Sequence, residues 1–165
     1  MQCRQIVLVD TNVIIEAIRT NCWAALTGHY QIETVEKCIE EARTGDAYRA
    51  GYIKVTDRDL RERLIAHGVT NGALAQLIVR EPLAEGLDPG EKHLWAHALG
   101  RKDAWVATTA DGSAVRIAMK LGWGDRLVSL EELLHGCGAK AAVRALNRHF
   151  RSAALSGWRT QGLLT

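Results

Sequence analysis

Hydrophobic and polar positions change period repeatedly along this chain. Gln5–Val9 (QIVLV) is an unbroken β-branched run of the kind found in parallel strands buried on both faces, and Val13–Arg19 then switches to helical spacing. His29–Glu33 predicts a second strand and Val35–Arg43 a helix. Gly51–Val55 predicts a third strand, and Asp57–His67 a charged amphipathic helix. Ala73–Val79 reads as a helix ended near Pro82. Asp88–Leu99 is a well-signalled helix, Trp105–Thr109 a fourth strand, and Ser113–Leu121 a helix stopped at Gly122. Arg126–Ser129 predicts a fifth strand and Ala139–Ala154 a last helix. Strands alternating with helices imply one α/β domain, a parallel sheet covered on both faces, with a C-terminal helical extension.

The chain's 165 residues suit a single core, and 47% hydrophobic with 24% charged residues is ordinary globular usage that excludes a disordered chain. No apolar stretch is long enough to span a membrane, and Asp10, Glu16 and Arg19 interrupt what would otherwise imitate a signal peptide. The four cysteines form no CxxC pair, so reduced thiols and a cytoplasmic location are expected, with Cys38 a small core residue. Net charge is only +2, but from Gly136 onward there are five cations and no acid, which leaves residues 1–135 at −3. The boundary suggests a body (1–135) and a basic extension (136–165).

The placement of the acids changes the picture most. In an open parallel sheet, functional groups collect beyond the carboxyl ends of strands where strand order reverses. Asp10 follows the first strand and Asp111 the fourth; Glu36 and Glu40 begin the helix after the second strand, and Glu91 begins the helix before the fourth. Clustered carboxylates repel, so they must protonate or share a cation. An oxygen-only donor set suits Mg²⁺ or Mn²⁺, which points to metal-assisted hydrolysis of a phosphodiester. Each acid also has a structural reading. Asp88-Pro89-Gly90-Glu91 spells a capping box, Asp111-Gly112 a turn or cap, Asp10 a helix cap, and Glu36, Glu40 and Glu41 a solvated helix face.

The stretches VDTNVIIEA (Val9–Ala17), TVEKCIEEA (Thr34–Ala42), LDPGEKHLWAHAL (Leu87–Leu99) and VATTADGSAVRIAMKLGW (Val106–Trp123) resemble the motifs of PIN-domain ribonucleases, over roughly residues 5–135. The resemblance implies a five-stranded parallel sheet and a divalent-metal-dependent RNA endonuclease. The implied acidic quartet is Asp10, Glu40, Glu91 and Asp111, supported by Asn12 and Thr109, with Glu36 a rival for the second acid. Gly112-Ser113 departs from the family, in which charged residues are commoner after the fourth acid. RNA is then the substrate, and a small antitoxin and a second copy of the chain are the protein partners the family suggests. A toxin of a toxin–antitoxin pair and a housekeeping PIN nuclease both fit; the alternative outside enzymology is a non-catalytic PIN-like module binding RNA or protein.

Other signals carry less. His93 and His97 stand i,i+4, but Leu94 occupies the place where a zincin helix needs Glu. A haloacid-dehalogenase-like site needs a second Asp two residues after the first, where Asn12 stands. No GxGxxG or Walker loop is present. Lys140, Arg144, Arg148 and Arg151 are spaced to line one face of a single helix and are the expected RNA-binding cations. Trp158, in a polar tail, is the least explained of the five tryptophans.

Overall fold

The computed structural model describes residues 4–45 and 54–164. Its elements run β1 (Ile6–Val9), α1 (Thr11–Arg19), α2 (Trp23–His29), β2 (Gln31–Val35), α3 (Glu36–Thr44), α4 (Asp57–Arg61), β3 (Ile65–His67), α5 (Asn71–Arg80), α6 (Pro89–Leu99), β4 (Trp105–Thr108), α7 (Gly112–Lys120), α8 (Leu130–Gly136), α9 (Lys140–Ala145) and α10 (Ser152–Leu164). The four strands form one parallel sheet in the order β3-β2-β1-β4.

Alternation along β1 sends Val7 and Val9 to one face and Leu8 to the other, and a separate core forms on each. Val13, Ile14 and Ala17 of α1 join Leu130, Leu133 and Leu134 of α8 on the first face. Leu94 and Trp95 of α6, with Ala114, Val115 and Ala118 of α7, fill the second. Both faces of the sheet are therefore covered, as a parallel sheet requires. The chain leaves β1 toward β2 and β3 and then returns to place β4 on β1's other side. Strand order thus reverses between β1 and β4, and the loops beyond their carboxyl ends flank a crevice.

Several sequence expectations need correction. The third strand expected at Gly51–Val55 falls largely outside the described residues, and Lys54 and Val55 are not in a strand. The helix expected over Asp57–His67 ends at Arg61; Ile65–His67 pairs with Glu33–Val35 instead, because the open edge of β2 offers a backbone ladder that helical periodicity does not reveal. The fifth strand at Arg126–Ser129 reduces to one parallel bridge, Ala107 to Leu127, with the Val128 amide donating to the Ala107 carbonyl at 2.9 Å. Ser129 is already committed as N-cap of α8, in a reciprocal capping box with Glu132, so the segment has no length left for a ladder.

The last helix, expected unbroken over Ala139–Ala154, is α9, a 3₁₀ turn at Arg148–Phe150, and the start of α10. Buried Glu16 of α1 causes the break. Its Oε1 accepts the Asn147 backbone N–H at 2.7 Å, a donor that a continuous helix would have used internally. Lys140, Arg144, Arg148 and Arg151 consequently do not share one helix face. Arg151 is turned inward, donating to the Arg144 and Leu146 carbonyls and pairing with Glu131 at 3.5 Å. Lys140, Arg144 and Arg148 are exposed.

Candidate functional site: an acidic cleft beyond β1 and β4

Asp10 and Asp111 are the N-caps of α1 and α7, the helices that follow β1 and β4. Asp10 Oδ1 accepts the Val13 N–H at 2.8 Å, and Asp111 Oδ1 accepts those of Ser113 and Ala114 at 2.7 and 3.0 Å. Capping and site formation are here one arrangement: the cap fixes each carboxylate's rotamer by one oxygen, at the sheet edge where the strand order reverses. Asp10 is 2% exposed, and its Oδ2 has no hydrogen-bond partner. Burial pushes its carboxyl up to about 6, with the Asp111 charge adding to the rise and the Thr109 hydroxyl and Val13 amide opposing it.

Glu91 occupies the third position of α6 and is buried. Burial, then the charges of Asp111, Asp10 and Asp88, raise its carboxyl to about 8. The expected capping box is half formed. The Asp88 side chain makes no cap hydrogen bond, whereas Glu91 interacts with the Asp88 backbone. Asp10, Thr11, Asn12, Glu41, Asp88, Pro89 and Glu91 line a cleft of about 140 Å³. Asn12 is on the cleft lining, and Thr109 is buried beside Asp10 with its hydroxyl accepting the Asp111 N–H at 3.2 Å; Asp111 itself is not among the lining residues.

The second acid is placed differently. Glu40 points outward, its side chain 61% exposed and paired with Lys37 at 3.0 Å, and Glu36 pairs with Arg61 at 3.2 Å on the same outer face. Neither lines the cleft. Glu41 does: its Oε2 accepts the Thr11 hydroxyl at 2.8 Å, and its Oε1 accepts the Gly90 N–H at 2.9 Å. Helix phase explains the difference. Cys38, Ile39 and Ala42 are the buried positions of α3, which puts residues 36 and 40 on the far side and Glu41 one turn above Cys38. Gly90 is needed where α3 meets α6, because a Cβ there would collide with the Glu41 carboxylate. Burial of Cys38 was the signal in the sequence that favoured position 41.

The donors converging on the cleft are carboxylate oxygens. The nearby Cys38 thiol is pushed up to about 12 by burial and supplies no thiolate. A buried carboxylate oxygen without a partner, among acids whose charges help raise Asp10 and Glu91, fits an oxygen-preferring divalent cation.

A second polar group lies under β2 and β3. Ligand atoms of Glu33, His67 and His97 fall within 4.8 Å of one another. Arg101 already supplies the cation there, its Nη1 2.5 Å from Glu33 Oε2 and 2.9 Å from His97 Nε2. The His67 and His97 rings stack with centroids 4.3 Å apart, and burial with the neighbouring His67 and Arg101 charges lowers His97 to about 4. His93, the other half of the i,i+4 pair, is instead bonded through Nδ1 to the Pro89 carbonyl at 2.7 Å. The group reads as a charge-balanced structural network. Among the described residues, no helix is long and apolar enough to cross a membrane.

No family model matches the chain, nor does any curated protein or solved structure.

Proposed function

We propose that this protein is a divalent-metal-dependent ribonuclease of PIN type, with Asp10, Glu41, Glu91 and Asp111 as the acids that hold Mg²⁺ or Mn²⁺. The observation that carries the reading is Asp10: a 2%-exposed carboxylate with one oxygen held by a helix cap and the other unpartnered in an acidic cleft. The motifs quoted above support it, with Glu41 in place of Glu40. A cation held there supplies a polarised water and charge stabilisation at a phosphodiester. The residues of this chain do the rest. The caps on α1 and α7 hold Asp10 and Asp111 in fixed rotamers. The Thr11 hydroxyl and Gly90 amide hold Glu41, and Glu91 is poised to exchange its proton for a cation.

The test is cleavage of a single-stranded RNA by purified protein with Mn²⁺ or Mg²⁺, with EDTA added, and with the Asp10→Asn and Asp111→Asn variants. The reading expects cleavage that EDTA abolishes and that each variant lowers by orders of magnitude while folding normally. Wild-type cleavage rates in both variants, with contaminating nuclease excluded, would reject it.

A further inference from the structure

We propose that the parallel rings of His149 and Trp158 form a base-stacking platform for single-stranded RNA, with Trp158 seated on Gly112 at the turn that carries Asp111. The inference rests on the ribonuclease reading above and assigns a substrate contact to residues that reading leaves unused. Trp23, Trp95 and Trp105 are buried, and Trp123 packs edge-on against Trp95 and Trp105. Trp158 differs. It is half-buried on α10, and its ring is parallel within 3° to that of exposed His149, the centroids 6.2 Å apart.

Its position is set by Gly112. A Cβ at residue 112 would stand 2.8 Å from the indole Nε1, so the absence of a side chain there is what admits the ring. Gly112 directly follows Asp111, which places the indole one residue from a proposed metal-holding carboxylate. The departure at Gly112 noted in the sequence thereby acquires a physical role.

Electrostatics favour a base over a phosphate at this point. The cleft's carboxylates repel a polyanion, whereas a nucleobase is uncharged, flat and polarisable, and aromatic side chains hold unpaired bases by stacking. The segment carrying the two rings has exposed Arg148 beside His149 and no acid from Gly136 onward, so the backbone attached to a stacked base leaves toward positive charge.

The experiment measures binding of a fluorescent single-stranded oligouridylate, and of an abasic strand of equal length, to the full chain in EDTA at low ionic strength. His149→Ala and Trp158→Ala should each weaken the oligouridylate roughly 5- to 100-fold. Trp158→Phe, which keeps a flat ring, should lose less, and the abasic strand should bind wild type and variants alike. Because Trp158 also packs against the core, His149→Ala and Trp158→Phe decide the matter if Trp158→Ala fails to fold. The platform is refuted if base-bearing and abasic strands bind wild type equally, or if folded His149→Ala binds the oligouridylate as wild type does. The two readings fail separately. Unaltered cleavage by Asp10→Asn removes the metal site without touching the platform, whereas Asp10-dependent cleavage with an unchanged KM in His149→Ala removes the platform alone.

Discussion

Replacing Asp10 with Asn should stabilise the cation-free protein, and the gain should depend on pH. In the folded state the Asp10 carboxyl lies at about 6 against 3.8 when unperturbed, because burial disfavours its charge. A raised carboxyl means that the folded state binds the proton more tightly than the unfolded chain does. Stability is therefore highest below about pH 4, falls as pH rises through about 6, and the full penalty stands above that. The gap from 3.8 to about 6 corresponds to ~3 kcal/mol. Asn keeps an oxygen for the Val13 N–H and is a good capping residue, so the helix start survives the change. With Tm moving ~2–4 °C per kcal/mol in a chain of this size, Asp10→Asn should melt roughly 6–12 °C above wild type at pH 8 in EDTA. At pH 4 the two should melt together. Thermal melts followed by circular dichroism at both pH values read this directly. Millimolar Mn²⁺ at pH 8 should raise wild type, by ~2.7 kcal/mol at a hundredfold excess over Kd, and leave the variant unmoved. A lower melting temperature for Asp10→Asn at pH 8, or an equal offset at pH 4 and pH 8, would refute the account of a buried, charge-strained carboxylate.

Three further outcomes are expected. Glu41→Gln should lower metal-dependent cleavage ~10- to 100-fold, and Glu40→Gln should leave the rate within twofold of wild type; the reverse ranking in a single-turnover assay would return the second acid to position 40. Gly112→Ala should push Trp158 off its seat and cost ~1–3 kcal/mol in urea denaturation, since the added methyl group meets a ring that cannot fold away. Glu33→Ala should cost ~1–3 kcal/mol by removing one of the two carboxylates that pair with Arg101, Asp103 remaining at 2.6 Å, and no measurable loss would show that the network under β2 and β3 is dispensable.

Helices whose sequences carry their own start and stop signals were legible in advance. Asp88-Pro89 opens α6, Gly122 at φ +81° follows α7, and α5 ends ahead of Pro82. β1 and β4 were legible because runs buried on both faces leave no other reading. Features set by long-range partners were not. Helical spacing cannot show that Ile65–His67 will leave its helix for the edge of β2. Nor can it show that the Asn147 amide will be drawn to Glu16, 131 residues away, breaking the basic helix and scattering its cations.

The site divides in the same way. Asp10 and Glu91 line the cleft, and Asp111, outside its lining, is near enough for its charge to act on both; each lies at the start of a helix, beside or within one turn of the sheet edge, so secondary structure alone delivers them there. Choosing among Glu36, Glu40 and Glu41 required the rotation of α3 about its axis. That rotation is set by which side chains α1 and α6 accept, through buried Cys38, Ile39 and Ala42 and the close approach at Gly90. The seat of Trp158 on Gly112 is likewise decided by the packing of α10 on α7. Local sequence dictates where helices begin and which residues cap them, because those interactions span three or four residues. The facing of a helix, and the neighbour of a ring 46 residues further along the chain, depend on contacts that exist only once the core has closed.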